Sequence, residues 1–346
     1  MPKVTLKDVA RRAGVHPSTV SRALDPAKGS LVNEETRSRV RAAAEELGYR
    51  GDAIASGLRR GRTDTLGVIV ADLGNPFIAP VLRGIENHLE GRRLMALIAE
   101  TQDDHGRMSR VLDNLVARRV DAVIITGARN GDERLLRKVQ HQVPIVLAVR
   151  NLPGADIPAI THDDERGGRL AAEHLIEQGH RRIAQLHGPR DISSFRERGA
   201  GFTVRLAESG LTPIEPPDTA THPIVEEGRR LMQLLLDDTD QPPTAIFAHN
   251  DLMAFGALEV LAEQGLSCPF DVAIVGYNDT PMTARTNPPI TTVRLPGYEL
   301  GRMAADTAVT LIENRDHLTS SLSLPPALIA RDSTLGWKAP DRAGRP

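Results

Sequence analysis

The side chain best suited to reading a chemical surface in this 346-residue chain is Arg22, in the stretch PSTVSRAL. Helical spacing turns Val20, Ala23 and Leu24 inward and leaves Pro17, Ser18, Ser21 and Arg22 outside. An exposed guanidinium can form a bidentate pair with guanine O6 and N7 in a major groove, worth about 1–3 kcal/mol of discrimination. The same group can clamp a phosphate, which gives affinity without sequence preference. Catalytic chemistry finds little support. There is no G-x-G-x-x-G after a strand-like run, no P-loop, no G-x-S-x-G and no H-E-x-x-H. Asp163 and Asp164 form a carboxylate pair with no general acid placed opposite, and are expected at a crossover between subdomains. Eleven histidines are scattered without ligand spacing, and Cys268 is the one cysteine. No metal, no cofactor and no enzymatic activity are therefore expected.

The elements that must carry Arg22 are short. Thr5 can cap a first helix, with Asp8 completing a capping box. Leu6, Val9, Ala10 and Ala13 give that helix one buried stripe, Gly14 suits a left-handed C-terminus, and Val15 pins the turn. Pro17 takes the first position of a second helix. Asn33 caps a third, Glu34 to Leu47, whose Val40, Ala43, Ala44 and Leu47 can close a three-helix core before Gly48 ends it. Two short helices around a glycine turn describe a helix-turn-helix. A helical hairpin docking on another protein is the rival. Charge favours DNA: residues 1–62 carry 13 Lys and Arg against 7 Asp and Glu, and the remainder 30 against 38.

From Thr65 onward, strand-like and helix-like runs alternate. TLGVIVADL, LMALIAE, DAVIITG and PIVLAV read as strands, with IAPVLRGIENHLEG, MSRVLDNLVARR and ERLLRKVQHQ as helices. A second series runs from Asp164 through the strands RRIAQLHG, TAIFAHN and VAIVGYND. Its helices include AGFTVRLAESG and DLMAFGALEVLAEQG. Two such series predict two doubly wound subdomains with parallel sheets. The late helix GYELGRMAADTAVTLIEN is expected to return to the first. No apolar run is long enough for a membrane span and MPKVTLKDV is no secretory signal, so a cytoplasmic protein is expected. The segment 337–346 is Pro, Gly and charge, and reads as disordered.

VARRAGVHPSTVSRAL resembles the V-A-x-x-A-G-V-S-x-x-T-V-S-R-x-L signature of the LacI family of bacterial transcription regulators. Tyr49, Ala55 and Leu58 match that family's linker, and HLIEQGHRRIAQLHGP, PTAIFAHNDLMAFGAL, DVAIVGYNDTPM and NPPITTVR are similar to its body blocks. The likeness covers roughly residues 4 to 336. It implies an all-α helix-turn-helix head (1–50), a hinge helix and linker (51–63), and an α/β body (64–336) of type I periplasmic binding-protein-like fold. Subdomain one would span about 64–162 plus 296–322, and subdomain two about 163–294 plus 323–336.

The resemblance also implies roles. Pro17, Ser18 and Arg22 would meet base edges, and Thr5, Thr19, Ser21 and Thr36 phosphates. His16 stands for the usual serine cap. Ala55 and Leu58 would enter the minor groove, Leu58 as a wedge at a central pyrimidine–purine step. Gly51 replaces the family's proline and Asp52 its asparagine, which loosens the start of the hinge helix. In the body, Asn75, Phe77, Asp163, Ser194, Arg198, Asn250 and Asn278 match effector positions. Phe77 can stack on a sugar or base ring, or be plain core. Arg198, placed in a loop with Ser194, can grip a ligand or form an interdomain salt bridge. Asn250 would serve the ligand and Asp251 the helix cap. The expectation is a dimeric repressor that binds palindromic double-stranded operator DNA and is regulated by a small effector, a sugar or sugar derivative leading. A small-molecule binding protein without DNA function and a nucleotide-using α/β enzyme are the rivals.

Overall fold

The computed structural model describes residues 4–24, 31–49, 62–238, 241–315, 317 and 320–336. The expected hinge helix with Gly51, Asp52, Ala55 and Leu58, and the segment 337–346, lie outside the described residues. The chain divides into a head, Met1–Thr63, and a body, Asp64–Pro346.

The head holds α1 (Leu6–Ala13), α2 (Pro17–Leu24) and α3 (Glu34–Glu46). Asp8 Oδ2 accepts the Thr5 backbone N–H at 2.9 Å and the Thr5 hydroxyl at 2.6 Å, which fixes the start of α1. Gly14 closes it at φ 65°, where a Cβ would be strained. Asn33 Oδ1 caps α3 through the Thr36 N–H at 2.8 Å. Val9, Ala10, Val20, Ala23, Val40, Ala43 and Ala44 form the buried core. Seven small or branched side chains hold three helices, so the face of α2 that meets solvent is fixed by what Val20 and Ala23 bury.

In the body, the first sheet contains β1 (Thr65–Val70), β2 (Met95–Glu100), β3 (Ala122–Ile125), β4 (Ile145–Val149), β5 (Ala159–His162) and β10 (Leu322–Leu324). Their order is β10-β5-β4-β3-β1-β2 and every pairing is parallel. Helices α4 (Ile78–Glu90), α5 (His105–Ala117) and α6 (Glu133–Gln140) connect them. The second sheet has β6 (Ile183–Leu186), β7 (Ala245–Ala248), β8 (Ala273–Asn278), β9 (Thr291–Arg294) and β11 (Ala327–Ile329), in the order β11-β9-β8-β7-β6. Its helices are α7 (Asp164–Glu177), α8 (Ser193–Ala207), α9 (Val225–Asp237) and α10 (Asp251–Glu263). The late helix α11 (Gly297–Glu313) packs on α4 and on β3 to β5, in the first subdomain.

Two details depart from the sequence reading. The last strand, β11, is antiparallel to β9, so sheet two carries one reversed edge. β10 belongs to sheet one, so the last crossover falls between Leu324 and Ala327 rather than at 322/323.

A third departure matters more for the cleft. Helix α8 begins at Ser193, seven residues before the expected Ala200, so Ser194 and Arg198 sit on a helix and not in a loop. Ile192, Phe195, Phe202 and Leu206 are all buried at helical spacing, and they draw the segment down as a helix onto the core. Gly168 of α7 and Gly201 of α8 let the two backbones meet. A Cβ at Gly201 would lie 1.9 Å from Glu165 O, and one at Gly168 2.0 Å from Arg198 O. This approach sets Arg198 against the start of α7.

Candidate functional site

On the head, α2 begins at Pro17, and His16 takes over the capping. The His16 carbonyl accepts from the Thr19 N–H at 2.9 Å. Its Nδ1 accepts from the Ser18 N–H at 3.2 Å and lies 2.8 Å from the Ser18 hydroxyl. Ser18 and Arg22 are exposed, and Pro17, Thr19 and Ser21 are half-buried. Thr5 is exposed, with its hydroxyl donated to Asp8, and Thr36 is half-buried in the first turn of α3. Arg12 Nη2 pairs with Glu46 Oε2 at 2.7 Å and ties α1 to α3. The result is a rigid helix presenting a guanidinium and small hydroxyls, a shape that suits a groove.

In the body, a cavity of about 330 Å³ lies between the subdomains. Its walls come from the carboxyl ends of sheet-one strands, where open α/β sheets offer side chains to ligands: Ala71 and Asp72 after β1, Thr126 after β3, and Val149 and Arg150 at β4. Asn75, Phe77 and Ile78 line it from the start of α4. Gln102 and Asp103 follow β2, and His222, Pro223 and Ile224 close it from subdomain two. Of the expected effector residues, Asn75 and Phe77 are therefore on the wall. Asn75 Oδ1 accepts the Phe77 N–H at 3.1 Å, which orients the ring-bearing turn. Val149 has φ 69°. A β-branched residue there is strained by about 1–3 kcal/mol, and strain of this kind collects at ligand sites.

Arg150 and Asp103 face each other in this wall, Nη1 to Oδ1 at 2.5 Å and Nη2 to Oδ2 at 3.3 Å. Burial pushes the Asp103 carboxyl up, but the charge and hydrogen bond of Arg150 outweigh it and hold the pKa below its ordinary value. Sequence reasoning missed Gln102, Asp103 and His222 as cleft residues. For the first two, the signal was their position just after a strand in a parallel sheet.

Asp163, Ser194, Arg198, Asn250 and Asn278 do not line the cavity. Asp163 caps α7 through the Arg166 N–H at 3.0 Å. Ser194 is buried in the first turn of α8. Arg198 is 3 % exposed, and its Nε donates to Asp164 Oδ1 at 2.7 Å and its Nη1 to His249 O at 2.7 Å. Both partners lie in subdomain two, so the ion pair is internal and not interdomain. The cap expected of Asp251 is made by Asn250 instead. Asn250 is the cap, accepting the Met253 N–H at 2.8 Å, and donates to Pro223 O at 2.7 Å beside the cavity. Asp251 is buried and accepts from the Thr280 N–H and the Thr292 hydroxyl, both at 2.7 Å. Asn278, at φ 115°, ends β8 with its Oδ1 buried and unpartnered. Behind Phe77, His162 packs edge-on at 5.8 Å. Burial, then the Arg198 charge, pushes its pKa down to about 3, so it is neutral.

Residues 5–52 match the bacterial regulatory proteins of the lacI family, and residues 172–334 a periplasmic binding protein-like domain. The HTH-type transcriptional repressor CytR of Escherichia coli K12 is 33% identical over 332 residues, covering 95% of this chain and 96% of that repressor. The chain belongs to the LacI family. Among solved structures, the lac repressor dimer bound to operator and the anti-inducer ONPF superposes with a TM-score of 0.86. The two are 28% identical, over 96% of this chain and all of the other. The cellobiose complex of the regulator CelR gives 0.73 at 31% identity, with the same coverage.

Proposed function

We propose that this LacI-family chain is a ligand-regulated repressor that binds a palindromic operator as a dimer, with a small effector held in the inter-subdomain cavity. The carrying observation is the joint match of head and body to DNA-binding repressors over nearly the whole chain. An effector that prefers one angle between the subdomains changes operator affinity by its differential affinity for the two states. Pro17, Ser18 and Arg22 meet bases, and Thr5, Thr19, Ser21 and Thr36 meet phosphates. Ala55 and Leu58 serve the minor groove. Asn75 and Phe77 touch the effector directly, while Asp163, Ser194, Arg198, Asn250 and Asn278 shape or support its site. Amides, a hydroxyl and one flat ring suit a sugar or sugar derivative. The protein works without a catalytic step, in the cytoplasm; among the described residues no helix is long and apolar enough to cross a membrane.

The test is selection of DNA from a random pool by the full chain, followed by titration of sugars and nucleosides against the complex. Failure to enrich a palindrome defeats the DNA reading. A nucleoside that outcompetes every sugar defeats the ligand class.

Two expected results follow. Arg22→Ala relaxes preference at one guanine per half-site, costing roughly 1–3 kcal/mol there in a binding-site selection. A uniform loss across sequences with a shallower salt dependence makes Arg22 a phosphate clamp instead. The second concerns the dimer. β2 is the free edge of sheet one, yet Met95, Leu97 and Ile98 on it are large, apolar and exposed. Such an edge needs a cover, and a second copy supplies it. Leu97→Glu combined with Ile98→Glu is expected to yield monomers by sedimentation and to weaken operator binding. A dimer of unchanged strength places the interface elsewhere.

A further inference from the structure

The two walls of the cleft are tied together by charge beside the cavity. Arg129 lies between β3 and α6 in subdomain one. Asp191 lies between β6 and α8 in subdomain two. Arg129 Nε and Nη2 both reach Asp191 Oδ2, at 2.8 and 2.5 Å. The Asn130 N–H adds a bond to Asp191 O at 3.1 Å.

Arg129 is held for this purpose. Its backbone N–H donates to Asp132 Oδ2 at 2.9 Å, and Asp132 is itself pinned by His105 Nδ1 at 2.7 Å. Its Nη1 donates to Asp103 O at 2.9 Å, and its side chain is only 15% exposed. Asp103 is the cavity residue that grips Arg150. An unbroken run of contacts therefore leads from the cavity wall through Asp103 and Arg129 to the opposite subdomain. A further polar tie across this divide is not an ion pair: Asn151 donates its N–H to Ser193 Oγ at 3.0 Å and its Nδ2 to Glu197 at 3.3 Å.

We infer that Arg129 and Asp191 form a clasp that holds the effector cleft in its closed spacing, and so set how much of the closing an effector must supply. The inference rests on reading the cavity as the effector site. A guanidinium already held by the Asp103 carbonyl, on a backbone tied to Asp132, loses little freedom when it meets a carboxylate. Asp191 is partly exposed, so the pair is of modest strength, on the order of a fivefold bias between closed and open. Modest strength suits a switch. A ligand that needs both walls binds only the closed fraction, so loosening the clasp lowers its apparent affinity in proportion to the closed fraction lost.

The clasp can be tested without knowing the ligand or the operator. Spin labels at Asn114→Cys and Asp237→Cys, on exposed positions of α5 and α9, go into full-length chain carrying Cys268→Ser. Dilution with unlabelled chain leaves one labelled protomer per assembly. Pulsed dipolar spectroscopy then reads the distance between subdomains. A single narrow distribution is expected for the unsubstituted pair. Asp191→Asn raises the open-to-closed ratio by about fivefold, and Asp191→Arg, which sets two arginines against each other, raises it more. The exchanged pair, Arg129→Asp with Asp191→Arg, brings the distribution back toward the narrow form. Unchanged distances in both Asp191 variants, or an exchanged pair as broad as Asp191→Arg alone, overturn the clasp. If Asp191→Arg does not fold, Asp191→Asn in the same measurement decides. Operator selection by the unsubstituted chain is run alongside. Its failure defeats the repressor reading and leaves the distance result standing.

Discussion

Replacing Arg198 with alanine is expected to destabilise the body by about 3–5 kcal/mol, the cost of breaking a buried ion pair by removing one partner. The side chains of Arg198 and Asp164 are 4% and 2% exposed. Burial pushes the Asp164 carboxyl up, and the charge of Arg198 with the hydroxyl of Tyr277, 2.8 Å away, opposes that push. Without Arg198 the carboxyl keeps the burial and loses its cation. Further contacts go with it. The guanidinium lies 3.9 Å above the Tyr277 ring and 4.9 Å from that of Phe195, and it also satisfies His249 O. Denaturant unfolding of the full chain measures the loss. Arg198→Met with Asp164→Leu removes both charges at similar volume and is expected to recover much of it. An Arg198→Ala chain as stable as the original, deficient only in its ligand response, would return Arg198 to direct contact with the effector. A double variant no more stable than the single one would mean that the cost is not that of a stranded carboxylate.

Arg198 also shows where the sequence stops being legible. The run FRERGAGF carries a family motif, so its importance is visible in one dimension. Whether the guanidinium points into a cleft or into a core depends on how closely α7 and α8 approach, and that is set by Gly168 and Gly201 in two separate segments. The alternation of strands and helices was readable because parallel strands buried on both faces form short apolar runs. The three-residue strands β10 and β11 were not, since pairing with β5 and β9 defines them and no periodicity of their own does. In the head, almost every determinant is local. The Asp8 capping bonds, the Gly14 turn, the Asn33 cap and the inward Val20 all stood in the sequence and all recur in the structure. The cleft is the opposite case. Asp103 and Arg150 lie far apart in the chain and meet only because β2 and β4 end on the same edge of one sheet.

The chain is also expected to lose stability steeply as pH falls below about 6.5, where unperturbed histidine titrates. Six histidines have their pKa values lowered chiefly by burial, His88 among them. His162 is pushed down to about 3 and His180 to about 4, His249 well below its ordinary value, and His174 and His187 are lowered too. A group whose folded pKa is depressed takes its proton in the unfolded chain first. Between pH 6.5 and about 4 the unfolded state therefore binds more protons at these sites, and stability rises with pH across that window. Asp251 acts the other way. Burial raises its pKa to about 7, against the opposing bonds from Thr280 and Thr292. Below pH 7 the folded chain holds a proton there that the unfolded chain releases until about pH 4, which favours folding in acid. Near pH 5.5, His162 and His180 alone supply almost two protons to the unfolded state against one to the folded state from Asp251. The other four histidines widen the margin, while Asp164 and Glu197, whose carboxyls burial also raises, narrow it. Each net proton is worth roughly 1.4 kcal/mol per pH unit. Urea midpoints between pH 7.5 and 5 measure the slope. His162→Phe should make it shallower by about one proton, and Asp251→Asn should make it steeper by about one. Stability that climbs on acidification to pH 5 would mean that buried carboxyl groups, and not buried imidazoles, govern the titration of this body.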